Sequence, residues 1–352
     1  MKKFLVLLLV GVMLLSLACC TETPSDPTSD VLTDTSTDSS ASTSSEEEVE
    51  VDPVPNLVIA NDQLQERVVI YDLDQYQTGD TLDDLEYWSA KTTHAAGVKY
   101  RTNTVFGDVI IVAGTRSQII KYPSKEEVWG TGNSGNNPHS IEILPSGNIV
   151  IASSTGGTVR LFRTAALLEG GKSKANTFKD YKLKGAHGVL WDPEYEVLWA
   201  VGDDQLVAYS ISGSGADEEL VLMSGMGCPV SGGHDLSADY SDTRYLYLTG
   251  SDVYRFDKET DTLTTSFPQS SKLQDKSVKG FSNNPNGNFF KVIATGGKGT
   301  SWENFYKESW LTDTILYYER RVNHGTPFLK EIKLTSKKSA FYKTRAFCGE
   351  YQ

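Results

Sequence analysis

The sequence contains few cysteines, few histidines and less positive than negative charge. Its 352 residues include 4 cysteines, 5 histidines and 33 basic against 46 acidic residues, which gives a net charge of −13. That balance argues against general nucleic-acid binding, which requires basic groups to neutralise phosphates. The cysteines show no paired spacing typical of structural zinc sites. The sequence also has no phosphate-binding glycine loop, no Rossmann glycine motif and no HExxH motif.

Long apolar runs are also scarce, and the longest lies at the N-terminus. A short basic start precedes an unbroken run of apolar and small residues from Phe4 to Ala18. This run is short for a membrane span and is typical of a secretory signal. The stretch LSLAC resembles the lipobox of bacterial lipoproteins, so residues 1–19 are predicted to be a lipoprotein signal peptide with Cys19 as the lipidated residue. The following Cys20 is the alternative. Attached acyl chains would anchor the protein to the cell membrane or outer surface.

Residues 20–55 contain almost no bulky apolar side chains. Ser, Thr, Asp, Glu and Pro dominate this segment. It cannot bury enough surface to offset its chain entropy, so it is predicted to be a disordered stalk. Residues 56–352 should then form the folded domain. Only Cys228 and Cys348 remain there; an exported setting permits a disulfide between them without requiring one.

Helical signals are weak in the folded part, where pairs of short strands recur instead. Thr164–Gly170 (TAALLEG) is the one segment that suggests a helical turn. Six strand-like runs each end near an aromatic residue and follow a more apolar run. Strand pairs that repeat about every 40–50 residues predict a β-propeller. The wider last interval contains an insertion, GGKGTSWENFYKESWL. The six aromatic residues are Tyr71, Tyr122, Phe162, Tyr209, Phe256 and Tyr318.

The first repeat lacks its own first strand, because the acidic stalk occupies the corresponding position. The C-terminal stretch SAFYKTRAFCG, Ser339–Gly349, can supply that strand. Many propellers close their ring in this way, which protects strand edges. The sequence therefore predicts an all-β, six-bladed β-propeller whose first blade is completed by the C-terminal strand.

Basic residues and histidines recur just before the first strand of each repeat. Three of the five histidines, and Lys99, lie 22 or 23 residues before the aromatic residue of their repeat. Lys279 corresponds to them through a proline six residues further on, which also follows His139 and His187. First strands line the central channel of a propeller, so these residues should ring one mouth of the channel. The predicted ring contains Lys99, His139, His187, His234 and Lys279, with Lys343 or Arg345 from the closing strand.

Three interpretations of the ring remain open. His139, His187 and His234 could bind a divalent metal, with an added oxygen ligand from Asp235. The ring could instead be a positive mouth that attracts anions such as acidic sugars or phosphorylated metabolites. Alternatively, the histidines could only form hydrogen bonds between blades. Lysine at the same position favours a positive mouth, although copied repeats share residues without sharing chemistry.

Two further groups of residues are candidates for a functional site. Trp302, Tyr306 and Trp310 lie in the insertion, where they could stack on sugar rings or pack the loop onto a blade. Ser231, His234 and Asp235 are close in sequence, but a catalytic triad requires side chains that converge in space. Near neighbours on one strand point apart, so no triad is expected.

The repeats NDQLQERVVIYDLD and GAHGVLWDPEYEVLWAVGDDQLVAY and the ending FYKTRAF resemble a family of bacterial propeller-like lipoproteins that has no established activity. The resemblance spans about residues 56–348 and implies a six-bladed fold and export. A looser likeness is to propeller lyases of uronate oligosaccharides, which hold a metal with channel histidines but differ in blade number.

Together these features predict a monomeric lipoprotein that binds an extracellular ligand at the channel mouth and binds no nucleic acid. An anionic carbohydrate is the preferred ligand. The alternatives are a metal-assisted polysaccharide lyase or hydrolase and a protein-interaction platform.

The lipobox makes a prediction about two adjacent cysteines. The substitution Cys19→Ser should abolish incorporation of labelled fatty acid and release the protein from the membrane fraction, because the acyl chains need that cysteine. The matched change Cys20→Ser should preserve both properties. Membrane retention of the Cys19→Ser protein would contradict the prediction.

Overall fold

The computed structural model describes residues 55–295 and 310–349, which are built mainly of short β-strands. The predicted signal peptide, the stalk up to residue 54, the lipidation site Cys19, and Trp302 and Tyr306 lie outside these ranges. None of the helices within them is long and apolar enough to cross a membrane. The described strands form six antiparallel sheets.

Strands β1 to β10 form the first three sheets. The first contains β1 (Leu57–Asp62), β2 (Arg67–Asp72) and β3 (Glu86–Lys91); the second contains β4 (Thr93–Thr104), β5 (Gly107–Lys121) and β6 (Glu127–Thr131); the third contains β7 (Pro138–Ile143), β8 (Ile149–Ser153), β9 (Thr158–Phe162) and β10 (Phe178–Lys182).

The remaining strands complete the ring. The fourth sheet contains β11 (Gly188–Asp192), β12 (Val197–Val201), β13 (Gln205–Ser212) and β14 (Glu219–Pro229); the fifth contains β15 (Asp235–Ala238), β16 (Tyr245–Thr249), β17 (Val253–Asp257) and β18 (Thr262–Thr264); the sixth contains β19 (Val278–Asn283), β20 (Phe289–Ile293), β21 (Thr314–Asn323) and β22 (Thr326–Thr335); and β23 (Phe341–Ala346) joins the first sheet as its innermost strand.

The helices of the described ranges are short 3₁₀ helices of three to six residues in the connections. The segment TAALLEG forms one of them, as its sequence suggests. They span Leu73–Gln75, Leu82–Asp84, Thr164–Glu169, Lys174–Asn176, Gly215–Asp217 and Ser271–Leu273.

Inner strands of neighbouring sheets contact one another around a closed ring. The order of contacts is β23, β4, β7, β11, β15, β19 and back to β23. This arrangement is a six-bladed β-propeller, which confirms the fold predicted from the repeats. Each pair of adjacent blades encloses one hydrophobic cluster. The core therefore lies between the blades, which explains why strands such as β8 and β12 are buried on both faces.

Strand β5 supplies two positions of the second blade. Its first part pairs with β4 and its last part pairs with β6. The backbone nitrogen of Tyr122 donates to the carbonyl of Asp108 at 2.9 Å, so the two ends of β5 lie side by side. The second blade is thus four strands wide, like the others, although it contains three continuous strands.

The C-terminal strand closes the ring as predicted. Strand β23 pairs antiparallel with β1, with Ala346 opposite Val58 and Arg345 opposite Ile59. Phe341, which is fully buried, packs edge-on against Tyr71 with ring centroids 6.0 Å apart. Cys228 and Cys348 are both free thiols.

Closure should depend strongly on Phe341. Replacing it with alanine removes a fully buried ring between the first and last blades and should lower the free energy of unfolding by about 3–5 kcal/mol. Urea denaturation measures this change. The matched variant Tyr87→Ala removes an aromatic ring that is 58% exposed and should have little effect. Equal losses in both variants would contradict this account of closure.

Candidate functional site

All six inner strands run away from the same mouth of the channel, and each has a β-bulge near that mouth. Register shifts mark the bulge in four blades. In the fourth blade, the backbone nitrogen of His187 donates to the carbonyl of Val201, which is also the partner of Gly188. In the fifth, the backbone nitrogen of His234 donates to the carbonyl of Thr249, which is also the partner of Asp235. Two consecutive residues therefore share one partner in each of these blades. A bulge re-aims side chains and is common beside functional sites. The bulged residues are Ala96, His139, His187, His234, Lys279 and Tyr342.

These six residues line one cavity of about 770 Å³. The structure therefore brings together four residues of the predicted ring: His139, His187, His234 and Lys279. It does not place Lys99, Lys343 or Arg345 at the mouth, where the sequence analysis put them. Ala96 and Tyr342 occupy the corresponding positions in the second and first blades.

The displaced residues have a structural explanation. In the second blade, β4 is 12 residues long and β5 bends back within one strand, so counting back 23 residues from Tyr122 stops at Lys99, three residues short of the bulge at Ala96. The closing strand β23 is the last strand of the chain, so no third-strand aromatic residue follows it from which to count. Tyr342 could have been found only by aligning FYKTRAF with the bulge positions of other blades.

The three imidazoles lie against one another at the bottom of the cavity. Ring centroids of His139 and His187 are 4.5 Å apart, and those of His187 and His234 are 4.7 Å apart. The Tyr342 hydroxyl lies 3.1 Å from His139 Nδ1 and 3.0 Å from His234 Nε2. His187 Nδ1 donates to the carbonyl oxygen of Gly185 at 2.6 Å, which leaves Nε2 as the acceptor. Tyr342 thus links two histidines, and a backbone carbonyl orients the third.

This arrangement does not support the metal interpretation. His139 Nδ1 and His234 Nε2 both face the Tyr342 hydroxyl. His187 Nδ1 is hydrogen-bonded to the carbonyl of Gly185. Within the ranges that the structure describes, no three His, Cys, Asp or Glu side chains are arranged to hold a metal ion. The proposed oxygen ligand Asp235 bonds instead to Lys343 and Arg345.

Burial keeps the histidines uncharged. Burial, reinforced by the nearby Lys343 ammonium, lowers the pKa of His139 to about 2 and that of His187 to about 4. The pKa of His234 is held well below its usual range for the same two reasons. All three imidazoles are therefore neutral at pH 7. The cation of the ring is Lys279, whose ammonium lies 3.2 Å from His234 Nε2.

Positive charge is concentrated behind the ring, in the body of the channel. Lys343 pairs with Asp235 at 3.1 Å and also donates to the carbonyls of His139 and His234. Arg345 contacts the same carboxylate. Four basic and two acidic side chains fill the channel, a formal excess of two positive charges. They are Lys99, Arg101, Lys343, Arg345, Glu142 and Asp235, each less than 10% exposed.

These side chains close the channel behind the cavity, which is therefore a cup whose floor of neutral imidazoles covers a positively charged interior. Its walls carry the amides of Asn136 and Asn137, several hydroxyls, and Trp310 from the end of the insertion. Trp310 is 41% exposed and its indole nitrogen lies 3.4 Å from Gln63 Oε1. No Asp or Glu is among the described residues that line the cup.

Residues 1–296 match the model of a family described as a family of unknown function (DUF6528). The protein belongs to that family. A comparison with curated proteins finds no match. The family membership and the six-bladed fold agree with the resemblance drawn from the repeats.

Solved structures resemble the protein at low sequence identity. A protein of unknown function from Bacteroides caccae is 9% identical, with a TM-score of 0.53 over 83% of this chain and 98% of its own. A functionally unknown protein from Desulfotomaculum acetoxidans is 11% identical, with a TM-score of 0.45 over 80% and 82%. A candidate 6-phosphogluconolactonase from Bacteroides uniformis is 11% identical, with a TM-score of 0.48 over 80% and 83%.

The neutral histidines predict a specific loss of stability in acid. Below the ordinary histidine pKa of 6.5, histidines of the unfolded chain bind protons and the buried imidazoles of the folded protein do not. The free energy of unfolding therefore falls as the pH falls. Each histidine should contribute a loss of roughly 2 kcal/mol between about pH 7 and pH 5.

The variant His187→Gln should lose less unfolding free energy between pH 7 and pH 5 than the wild-type protein does. The difference should be roughly 2 kcal/mol, the contribution of one histidine. Urea unfolding at several pH values measures it. At about pH 8 the imidazoles are neutral in both states, so the measurement there gives the pH-independent effect of the substitution. An unchanged pH dependence in the variant would show that His187 titrates normally in the folded protein.

Proposed function

We propose that this protein is an exported, lipid-anchored binding protein that recognises an acidic carbohydrate in the cup. One observation carries the proposal: neutral imidazoles and a single lysine cover a channel that holds two more positive than negative charges. Such a site attracts an anion while its rim offers uncharged hydrogen-bonding groups. The export and the lipid anchor rest on the N-terminal sequence.

The groups of the cup match the parts of a uronic acid. Lys279 can donate to a carboxylate, and the charges of Lys343 and Arg345 behind it add long-range attraction. The amides of Asn136 and Asn137 suit sugar hydroxyls, which both donate and accept hydrogen bonds. The exposed face of Trp310 offers an apolar surface to a sugar ring. A volume of about 770 Å³ lies within the usual range of small-ligand sites.

An enzymatic role has less support from the same geometry. Glycoside hydrolases generally use a pair of carboxylates, and none lines the described part of the cup. A lyase would need a base near the carbon that loses its proton, and a neutral imidazole such as His187 could take that part. A role as a protein-interaction platform would not explain the concave, polar cup.

Calorimetric titration of the mature chain without its lipid anchor, residues 20–352, tests the proposal. Trigalacturonate should bind, and the neutral maltotriose should bind at least tenfold more weakly because it lacks the carboxylates. The variant Lys279→Gln should weaken trigalacturonate binding about tenfold or more, since a hydrogen bond to a charged group contributes about 1.5–3 kcal/mol. The matched change Lys330→Gln, at an exposed position of β22, should have no effect.

Three outcomes separate the alternatives. Absence of binding by trigalacturonate would refute the acidic-sugar proposal. Equal binding of both sugars would leave a carbohydrate site without acid recognition. Appearance of the ultraviolet absorbance of an unsaturated uronate during incubation would identify a lyase.

A further inference from the structure

We propose that the end of the channel far from the cup binds one monatomic anion, chloride, between Lys99, Arg101 and Arg345. These residues lie on β4 and β23, further from the mouth than the bulges at Ala96 and Tyr342. Together they line a separate cavity. The proposal is independent of what the cup binds.

The charges around this cavity do not balance. Glu142 bonds to both Lys99 and Arg101, at 2.9 and 2.8 Å. Asp235 bonds to Arg345 and also to Lys343. Each carboxylate thus serves two cations, and every one of these groups is removed from water. A buried positive charge without its own counter-charge is expensive, so an anion beside it should be strongly stabilised.

One donor of Arg345 is also unused. Its Nη1 donates to the carbonyl of Thr344 at 2.9 Å, and its Nη2 contacts Asp235. Its Nε is buried and has no partner among the described residues. Buried polar atoms nearly always have a hydrogen-bond partner, and an unpaired donor on a charged group is especially unfavourable. A bound anion would accept this hydrogen bond.

The size of the cavity restricts its occupant. Its volume is about 10 Å³, close to the smallest space that holds a single water molecule. Neither a carboxylate nor a phosphate group fits, which leaves a monatomic ion or water. Apolar Leu190, Ala238 and Ala346 form part of the lining. Water would satisfy the Arg345 donor, but it would leave the excess charge uncompensated.

Loss of a proton is the other way to relieve that charge. Burial lowers the pKa of Lys99; Glu142 opposes this effect and Arg101 and Arg345 add to it, and the resulting pKa is about 8. The two explanations differ in their salt dependence, because proton loss from Lys99 does not require a particular anion.

Thermal unfolding of the mature chain at pH 7 tests the proposal. The melting temperature should be higher in sodium chloride than in sodium methanesulfonate of equal ionic strength, by about 2–4 °C at saturating chloride. The variant Arg345→Met should lose this difference. The variant Lys279→Met removes a cation from the cup end of the channel and should retain it.

Equal melting temperatures of the wild-type protein in the two salts would overturn the proposal, as would a chloride effect that persists in Arg345→Met. If Arg345→Met does not fold, crystals of the wild-type protein grown in bromide give the answer. Anomalous scattering from bromide between Lys99, Arg101 and Arg345 is the expected result, and its absence there would refute the site. Neither outcome depends on whether the cup binds trigalacturonate.

Discussion

Pairing of β23 with β1 is the contact on which the rest of the molecule depends. Five blades take their inner strand from the adjacent sequence, but the first blade takes it from the C-terminus. Without this strand β1 would have an unpaired inner edge and the channel wall would be incomplete. The same strand carries Tyr342, Lys343 and Arg345, so closure also delivers the phenol that links two histidines and half of the cations in the channel. Stability and the chemistry of the cup therefore share one structural origin.

The cup owes its character to side chains that lie behind it. Buried ion pairs contribute little net stability, because desolvation of the charges offsets their attraction. Here they have a second effect, since Lys343 and its neighbours close the channel and disfavour protonation of the imidazoles above them. The result is a neutral surface over a positive interior. Such a surface can hold an anion through long-range attraction while uncharged groups select its shape.

The repeats made part of this site predictable. His139, His187, His234 and Lys279 stand at nearly constant distances from a third-strand aromatic or a turn proline, because copied blades keep the spacing between these positions. This spacing does not locate the mouth residue where a blade departs from the pattern, as in the long strands around Lys99 and in the final strand at Tyr342. It also suggested a positively charged histidine ring, since an ordinary imidazole titrates close to neutral pH. Protonation depends on burial and on charges distant in sequence, which a local pattern does not contain.

The sequence by itself determined the architecture of this protein. Recurring pairs of apolar runs form strand pairs, and the number of these pairs gives six blades. The first repeat lacks its own first strand, so the C-terminal strand closes the ring. Tertiary structure alone decided the chemistry of the channel. Which residue faces the mouth depends on a one-residue bulge in each inner strand, and which groups are charged depends on neighbours from opposite sides of the ring. Glu142 lies 41 residues from Arg101, and Asp235 lies 110 residues from Arg345. These distances in sequence become hydrogen bonds only when the propeller closes.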